Sequence, residues 1–237
     1  MNLLLSIQQG VQRVSEIAND MPNLTGEEQV AEINFFSLAL KGGWIMIPLV
    51  LLGIIAVYIL IERIVAIKEA GKEDKTFMNK IRDYIHDGKI DSAINLCHMT
   101  NNPSSRMIEK GISRLGRPMN DVLVAIENVG NLEISKLEKG FALLATIAGG
   151  APMLGFLGTV TGMVRAFFDM ANAGNNVDIA LLSSGIYEAL VTTVAGLIVG
   201  ILAYFAYNYL VLRVDKVIHS MESQTMEFMD LLNEPAD

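Results

Sequence analysis

Residues 141–164 read FALLATIAGGAPMLGFLGTVTGMV and residues 189–212 read ALVTTVAGLIVGILAYFAYNYLVL, two runs of 24 residues without a charge. A helix of that length is about 36 Å long and crosses a hydrocarbon core of about 30 Å with some tilt. A soluble helix of the same length carries a polar stripe, and neither run has one. A third run, from Trp44 to Ile61, holds 18 uncharged residues and is closed by Glu62 and Arg63. The pattern predicts an all-α membrane protein: three transmembrane helices with long cytoplasmic helical extensions. Composition agrees, since the 237 residues are 51% hydrophobic and 19% charged with a mean hydropathy of +0.39, whereas soluble domains run nearer a quarter charged. A formal charge of −8 and a single cysteine, Cys97, argue against a nucleic-acid binder and a disulfide-stapled secreted scaffold.

Of the 18 basic residues, 13 fall between residues 62 and 140. This excess marks that segment as cytoplasmic and puts the amino terminus and the short connection between the second and third spans outside. The start MNLLLSIQQG has no basic residue ahead of its short apolar run, so no cleavable signal is predicted. Leu4, Ile7, Val11, Val14 and Ala18 form a stripe suited to the outer membrane interface or to a partner helix. The cytoplasmic insert reads as short helices: Thr76 to Asp87 stopped by Gly88, Lys89 to Met99 stopped before Pro103, and Ser104 to Leu115 stopped by Gly116. After Pro118, Leu123, Ile126, Gly130, Ile134, Leu137, Phe141, Leu144 and Ala148 keep helical phase, which predicts one unbroken helix running into the second span. Beyond the third span, Val211, Val214, Ile218, Met221, Thr225, Phe228 and Leu232 continue a heptad-like stripe. Such a stripe needs a partner, either the helix preceding the second span or copies of itself.

Within the spans the small residues are patterned. Ala151, Gly155, Gly158, Gly162 and Ala166 share one face of the second, and Ala189, Thr193, Gly196, Gly200 and Ala203 one face of the third. Gly155, Gly158, Gly162, Gly196 and Gly200 are read as helix-packing residues, because small side chains let backbones approach closely in lipid. Pro48 and Pro152 each predict a kink with a freed carbonyl. Glu188 is the only acid from Ile179 to Leu212 and forms a polar stripe with Ser184 and Thr192. A carboxyl there either snorkels to the outer boundary or lines an aqueous ion path. Thr159, Thr161, Thr192 and Thr193 add hydroxyls that either bond their own backbone or join that path. No second acid lies deeper in any span, so an ion path within one chain is incomplete and calls for a carboxylate from another polypeptide. An enzyme reading finds little: Cys97 and His98 are adjacent and point about 100° apart on a helix, and no Gly-Lys-Ser phosphate loop occurs. No metal, cofactor or catalytic residue is predicted.

The runs Ala151-Pro-Met-Leu-Gly-Phe-Leu-Gly-Thr-Val-Thr-Gly162 and Gly185-Ile-Tyr-Glu-Ala-Leu-Val-Thr-Thr-Val-Ala-Gly196 resemble the signature of the MotA/TolQ/ExbB proton-channel family. Three spans with the amino terminus outside point to its ExbB/TolQ branch. The resemblance covers residues 40–232 and implies a bacterial inner (cytoplasmic) membrane protein with a periplasmic amino terminus and a cytoplasmic carboxyl terminus. On this reading 1–40 is a periplasmic amphipathic segment, 41–67 the first transmembrane helix, 68–136 a cytoplasmic insert, 137–168 the second span, 169–183 a periplasmic loop, 184–212 the third span and 213–237 a cytoplasmic helix. It further implies a homo-pentamer around a dimer of an ExbD/TolR-like single-span protein, whose membrane aspartate carries the proton, with motion passed to a TonB-like protein. Carried over by position, Thr159, Thr193 and Glu188 match ion-path residues. Thr192 departs from the small apolar residue expected beside Thr193 and adds an oxygen that suits sodium as well as protons. The function expected is an ExbB-like motor subunit that energises TonB-dependent outer-membrane transport; the alternatives are a TolQ-like subunit of the Tol-Pal envelope system and a passive membrane scaffold.

Overall fold

The computed structural model describes residues 43–72, 74, 76–172 and 179–233; the predicted amphipathic stripe of residues 1–40 lies outside them, as do residues 173–178 of the predicted loop. All regular structure among the described residues is helical: α1 Met46–Ala70, α2 Phe77–His86, α3 Ile90–Thr100, α4 Pro103–Ile112, α5 Met119–Leu137, α6 Phe141–Asn172 and α7 Ile179–Asn233. Three helical stretches, in α1, α6 and α7, are long and apolar enough to cross a membrane. Only 22%, 28% and 39% of their most apolar windows are buried within the chain, which leaves most of that surface for lipid or other chains. α7 is a single helix of 55 residues, about 80 Å long, so the third span and the stripe beyond it are one rod.

Two predicted irregularities take a different form. Pro48 falls in the first turn of α1, where a backbone N–H has no helical acceptor, so its ring frees no interior carbonyl. The helix predicted to run unbroken from Pro118 is interrupted at residues 138–140, and Gly140 turns the chain with φ +89°. Leu137, Phe141 and Leu144 are buried on both sides of the break; the apolar phase survives it, and periodicity could not reveal it. The legible signal is Lys139-Gly140, a basic residue and a glycine of the kind that ends helices.

The break is tied to α1. Arg63 is 7% exposed, and its Nη1 donates to the Lys136 carbonyl in the last turn of α5 at 2.8 Å. Its Nε donates to Glu62 Oε2 at 2.9 Å, and the two side chains form an ion pair. A Cβ on Gly140 would stand 3.2 Å from Ile59 Cγ2. The Glu62-Arg63 boundary of the first span thus caps the helix that leads into the second.

Beyond the spans, α2 to α5 pack around the carboxyl-terminal half of α7. Phe228, Val214 and Met221 are buried with Ile81, Ile108, Ile112 and Ile126 in one core, so the heptad-like stripe finds its partner within the chain. Gly111 lets α7 close onto α4, since a Cβ there would lie 2.5 Å from the Phe228 ring and 2.8 Å from Ile126 Cδ1. α2 ends just before its predicted stop at Gly88, which takes a positive φ of 71°, whereas α4 ends at Ile112, before the predicted Leu115, and the chain turns on to Gly116 at φ +84°; Asn102 caps the start of α4 by accepting from the Ser105 N–H at 2.7 Å. Cys97 is buried; burial and the nearby Glu109 charge push its thiol up to about 12. His98 turns outward, 3.6 Å from Glu109.

One buried acid holds the extension together. Glu133 is 4% exposed and accepts from Arg106 Nη2 at 2.6 Å and Lys136 Nζ at 2.7 Å. Burial pushes its carboxyl up, and the two cations outweigh burial and hold it below its ordinary 4.5. Its ionised form is the one the fold favours, so its contribution is complete above about pH 4.5 and fades as pH falls through the lower folded value. Glu133→Gln should therefore lower stability by about 1–3 kcal/mol at pH 7. Thermal unfolding of both proteins from pH 7 down to pH 3.5 checks this: the gap in Tm should narrow over the acid end.

Candidate functional site

The two charge-free runs meet along a seam of small residues. A Cβ on Gly196 would lie 2.6 Å from the Ala151 carbonyl oxygen and 2.8 Å from Gly155 Cα. One on Gly155 would stand 3.0 Å from the Thr192 carbonyl oxygen and 3.2 Å from Thr193 Cα. One turn further in one direction Gly200 receives the Pro152 ring at 2.5 Å from the same hypothetical position; in the other, Gly162 faces Ala189 at 3.0 Å and Gly185 faces Ala166 at 2.5 Å. The helices approach backbone to backbone at Gly155 and Gly196, and against the Thr192 side chain and the Pro152 ring at Gly158 and Gly200, gaining dispersion contacts where lipid supplies no hydrophobic drive. Pro152 cannot donate to the Ala148 carbonyl, and Gly200 is what brings α7 within about van der Waals reach of that oxygen, 3.1 Å from its hypothetical Cβ.

Three of the four predicted ion-path residues sit on or beside this seam. Thr193 Oγ1 donates across it to the Gly155 carbonyl at 3.0 Å, a hydroxyl bond that joins the two spans rather than folding back on its own helix. Thr192 is 2% exposed, fills the space a Cβ on Gly158 would occupy and donates to the Ala189 carbonyl at 2.7 Å. Glu188 is half-buried one turn before Thr192. Its carboxyl lies where Gly43, at φ +66°, would carry a side chain, so the chain entering α1 passes directly over it. Thr159 stands apart: it is half-buried and donates to the Phe156 carbonyl of its own helix at 2.6 Å.

A cavity of about 50 Å³ joins Glu188 and Thr192 with Thr161, Gly158, Gly162 and Arg165, closed on one side by Trp44 and Ile45. That volume admits water. Its walls offer a carboxylate, two hydroxyl oxygens and a guanidinium, groups that can hydrogen-bond water. Thr161 donates to the Leu157 carbonyl at 2.9 Å, which leaves its oxygen lone pairs as acceptors. Gly43 and Arg165 are absent from the sequence-based site. Arg165 was legible, because it follows Gly158 and Gly162 at spacings of four and three on the same face. Gly43 was not, because its role depends on the chain returning across another span.

The profile of the MotA/TolQ/ExbB proton channel family matches residues 99–223, which include the seam and the cavity residues of α6 and α7. An ExbB homolog of Methanothermobacter thermautotrophicus is 31% identical over 195 residues, covering 80% of this chain and 69% of that protein. The Tol-Pal system protein TolQ of Haemophilus influenzae is 30% identical over 231 residues, 87% of this chain and 96% of its own length. The biopolymer transport protein ExbB of Neisseria meningitidis is 27% identical over 180 residues, 70% and 80% of the two chains. The chain belongs to the MotA/TolQ/ExbB proton channel family. It is a membrane protein of that family, with three helical stretches among the described residues long and apolar enough to span a membrane.

The seam makes a sharp demand on side-chain size. Gly196→Ala places a methyl against backbone that cannot yield and should cost about 1–3 kcal/mol. Gly149→Ala, where a Cβ meets nothing within 4 Å, should cost nothing and gain slightly from helix propensity. Thermal unfolding of the two variants in one detergent measures the difference.

Proposed function

We propose that this chain is the multi-span subunit of an ion-driven motor of the ExbB/TolQ type in a bacterial inner membrane. Five copies enclose a dimer of an ExbD/TolR-like single-span protein, with the amino terminus periplasmic and the extension of α2 to α5 and distal α7 cytoplasmic. Thr159, Thr193, Thr192 and Glu188 line the route along which ions reach the partner. The observation that carries this reading is the α6–α7 seam: a hydroxyl crossing to a backbone carbonyl, beside a pocket large enough for water that holds Glu188, the only acid from Ile179 to Leu212. Glu188 lies toward one end of α7 and no deeper carboxylate exists in the spans, so the titrating group at mid-membrane belongs to the partner. Family membership supports the same division of labour.

Proton entry and release at that partner acid drives rotation of one component against the other. Each charge falling through 100 mV releases about 2.3 kcal/mol, so several are needed for work at a distant membrane. The rigid α7 rod and the Arg63 clasp on α5 link the spans to the extension, so a rearrangement among the spans is felt outside them. The work is delivered to a TonB-like protein for outer-membrane transport. A TolQ-like role in the Tol-Pal envelope system is a second reading, favoured by the near full-length match to the Haemophilus protein.

Thr193→Val keeps the shape and removes the cross-helix hydroxyl. Its stability loss should be about 0.6 kcal/mol, while ion-driven activity should fall at least about tenfold; Glu188→Gln should also lower activity with assembly intact. Unchanged activity in both would favour a passive scaffold. Complementation of strains lacking either the TonB-linked or the Tol-linked subunit separates the two roles.

A further inference from the structure

A second cavity, of about 620 Å³, opens between α1 and α7 where both helices leave the apolar zone. The helices run in parallel, as their contacts show: Gly43 meets Glu188, Gly53 meets Val199 and Gly71 meets Val217. Lys68 on α1 and Arg213 and Lys216 on α7 line the cavity, with Ser220, and no carboxylate lines it. Among the described residues none of these three cations forms an ion pair with an acid: Glu62 at the end of the first span is taken by Arg63, and Glu69 and Asp215, which adjoin Lys68 and Lys216 in sequence, do not line the cavity. Arg213 is held in place by Tyr209, whose hydroxyl accepts from Nε at 3.0 Å and whose ring lies 5.2 Å beneath the guanidinium. Its remaining N–H groups are left to bind elsewhere.

The position matters as much as the charge. The charge-free runs end at Ile61 and Leu212, so the cations stand within about two turns of the hydrocarbon, in the headgroup layer. Side chains on a helix lean toward its amino terminus, and here both amino termini lie on the membrane side, so all three cations lean back toward the bilayer. The floor of the cavity is apolar, with Ile67 and Leu210 buried. It continues into the exposed apolar faces of the spans at Ile61 and Leu212. A phosphate alone would use the cations and not this floor; a phosphate carrying acyl chains uses both.

We infer that this cavity binds the headgroup of an anionic phospholipid, with its acyl chains lying along α1 and α7. The inference needs only that these helices span a membrane and is independent of the motor reading. Native mass spectrometry of the detergent-purified complex, titrated with phosphatidylglycerol or with phosphatidylcholine of the same chains, tests it without any measurement of ion flux. Phosphatidylglycerol should be retained in preference to phosphatidylcholine. Lys68→Gln/Arg213→Gln/Lys216→Gln should weaken that preference at least about tenfold. Lys110→Gln/Arg114→Gln/Arg117→Gln, which removes the same charge elsewhere, should leave it intact. Equal retention of the two lipids by the unaltered protein, a comparison that needs no variant to fold, would overturn the inference. So would equal weakening by both triple variants, or displacement of the lipid by millimolar inorganic phosphate, which would mark a site for a free anion.

Discussion

The close approach of α6 and α7 is the constraint on which the rest depends. Two helices whose carbonyl oxygens and Cα atoms leave less than 3 Å for a methyl group at Gly196 can be held together only if no side chain intervenes. In lipid the gain comes from dispersion and from the cross-helix hydrogen bond of Thr193 to Gly155. The same closeness aligns the polar groups: it seats Thr192 on Gly158 and puts Glu188, Thr161 and Arg165 around one small cavity. Packing and the proposed ion route are therefore not separable. The residues that make the seam tight also fix where its oxygens stand.

A second set of contacts ties the spans to the helices beyond them. Arg63, buried at the end of the first span, donates to the last turn of α5, and α7 carries the third span without interruption into the core built by Phe228 and its neighbours. Between α5 and α6 the chain turns at Gly140. The extension is thus continuous with the third span through α7, meets the second span at the Gly140 turn that Arg63 clasps, and follows the first span in the chain after α1. Such an arrangement can pass a change among the spans to the extension while the core of the extension, pinned by Glu133 between Arg106 and Lys136, stays folded.

Much of this was legible in the sequence because it is local. Uncharged length marks the spans, glycine spacing marks the facing sides of α6 and α7, and Gly88 and Asn102 mark helix ends through backbone chemistry that acts over a few residues. What was not legible is what depends on distant parts of the chain meeting. Gly43 over Glu188, Gly111 under Phe228 and Arg63 on the Lys136 carbonyl each join residues separated by tens of positions or more. The break at Gly140 was hidden for another reason: a turn of three residues preserved the apolar phase. Thr192 belongs with the long-range contacts: its spacing from Glu188 put it on a polar stripe, while its fit onto Gly158 follows only from the packed helices.

The central claim is that this chain supplies the oxygen-lined route and a partner supplies the acid that titrates within the membrane. Proton uptake into liposomes under an imposed potential tests it most directly, comparing the chain reconstituted alone with the chain reconstituted with a single-span partner bearing a membrane aspartate. The account predicts flux only with the partner present and its loss when that aspartate is made asparagine. Equal proton flux through the chain alone would contradict it, because the route would then be complete within one polypeptide.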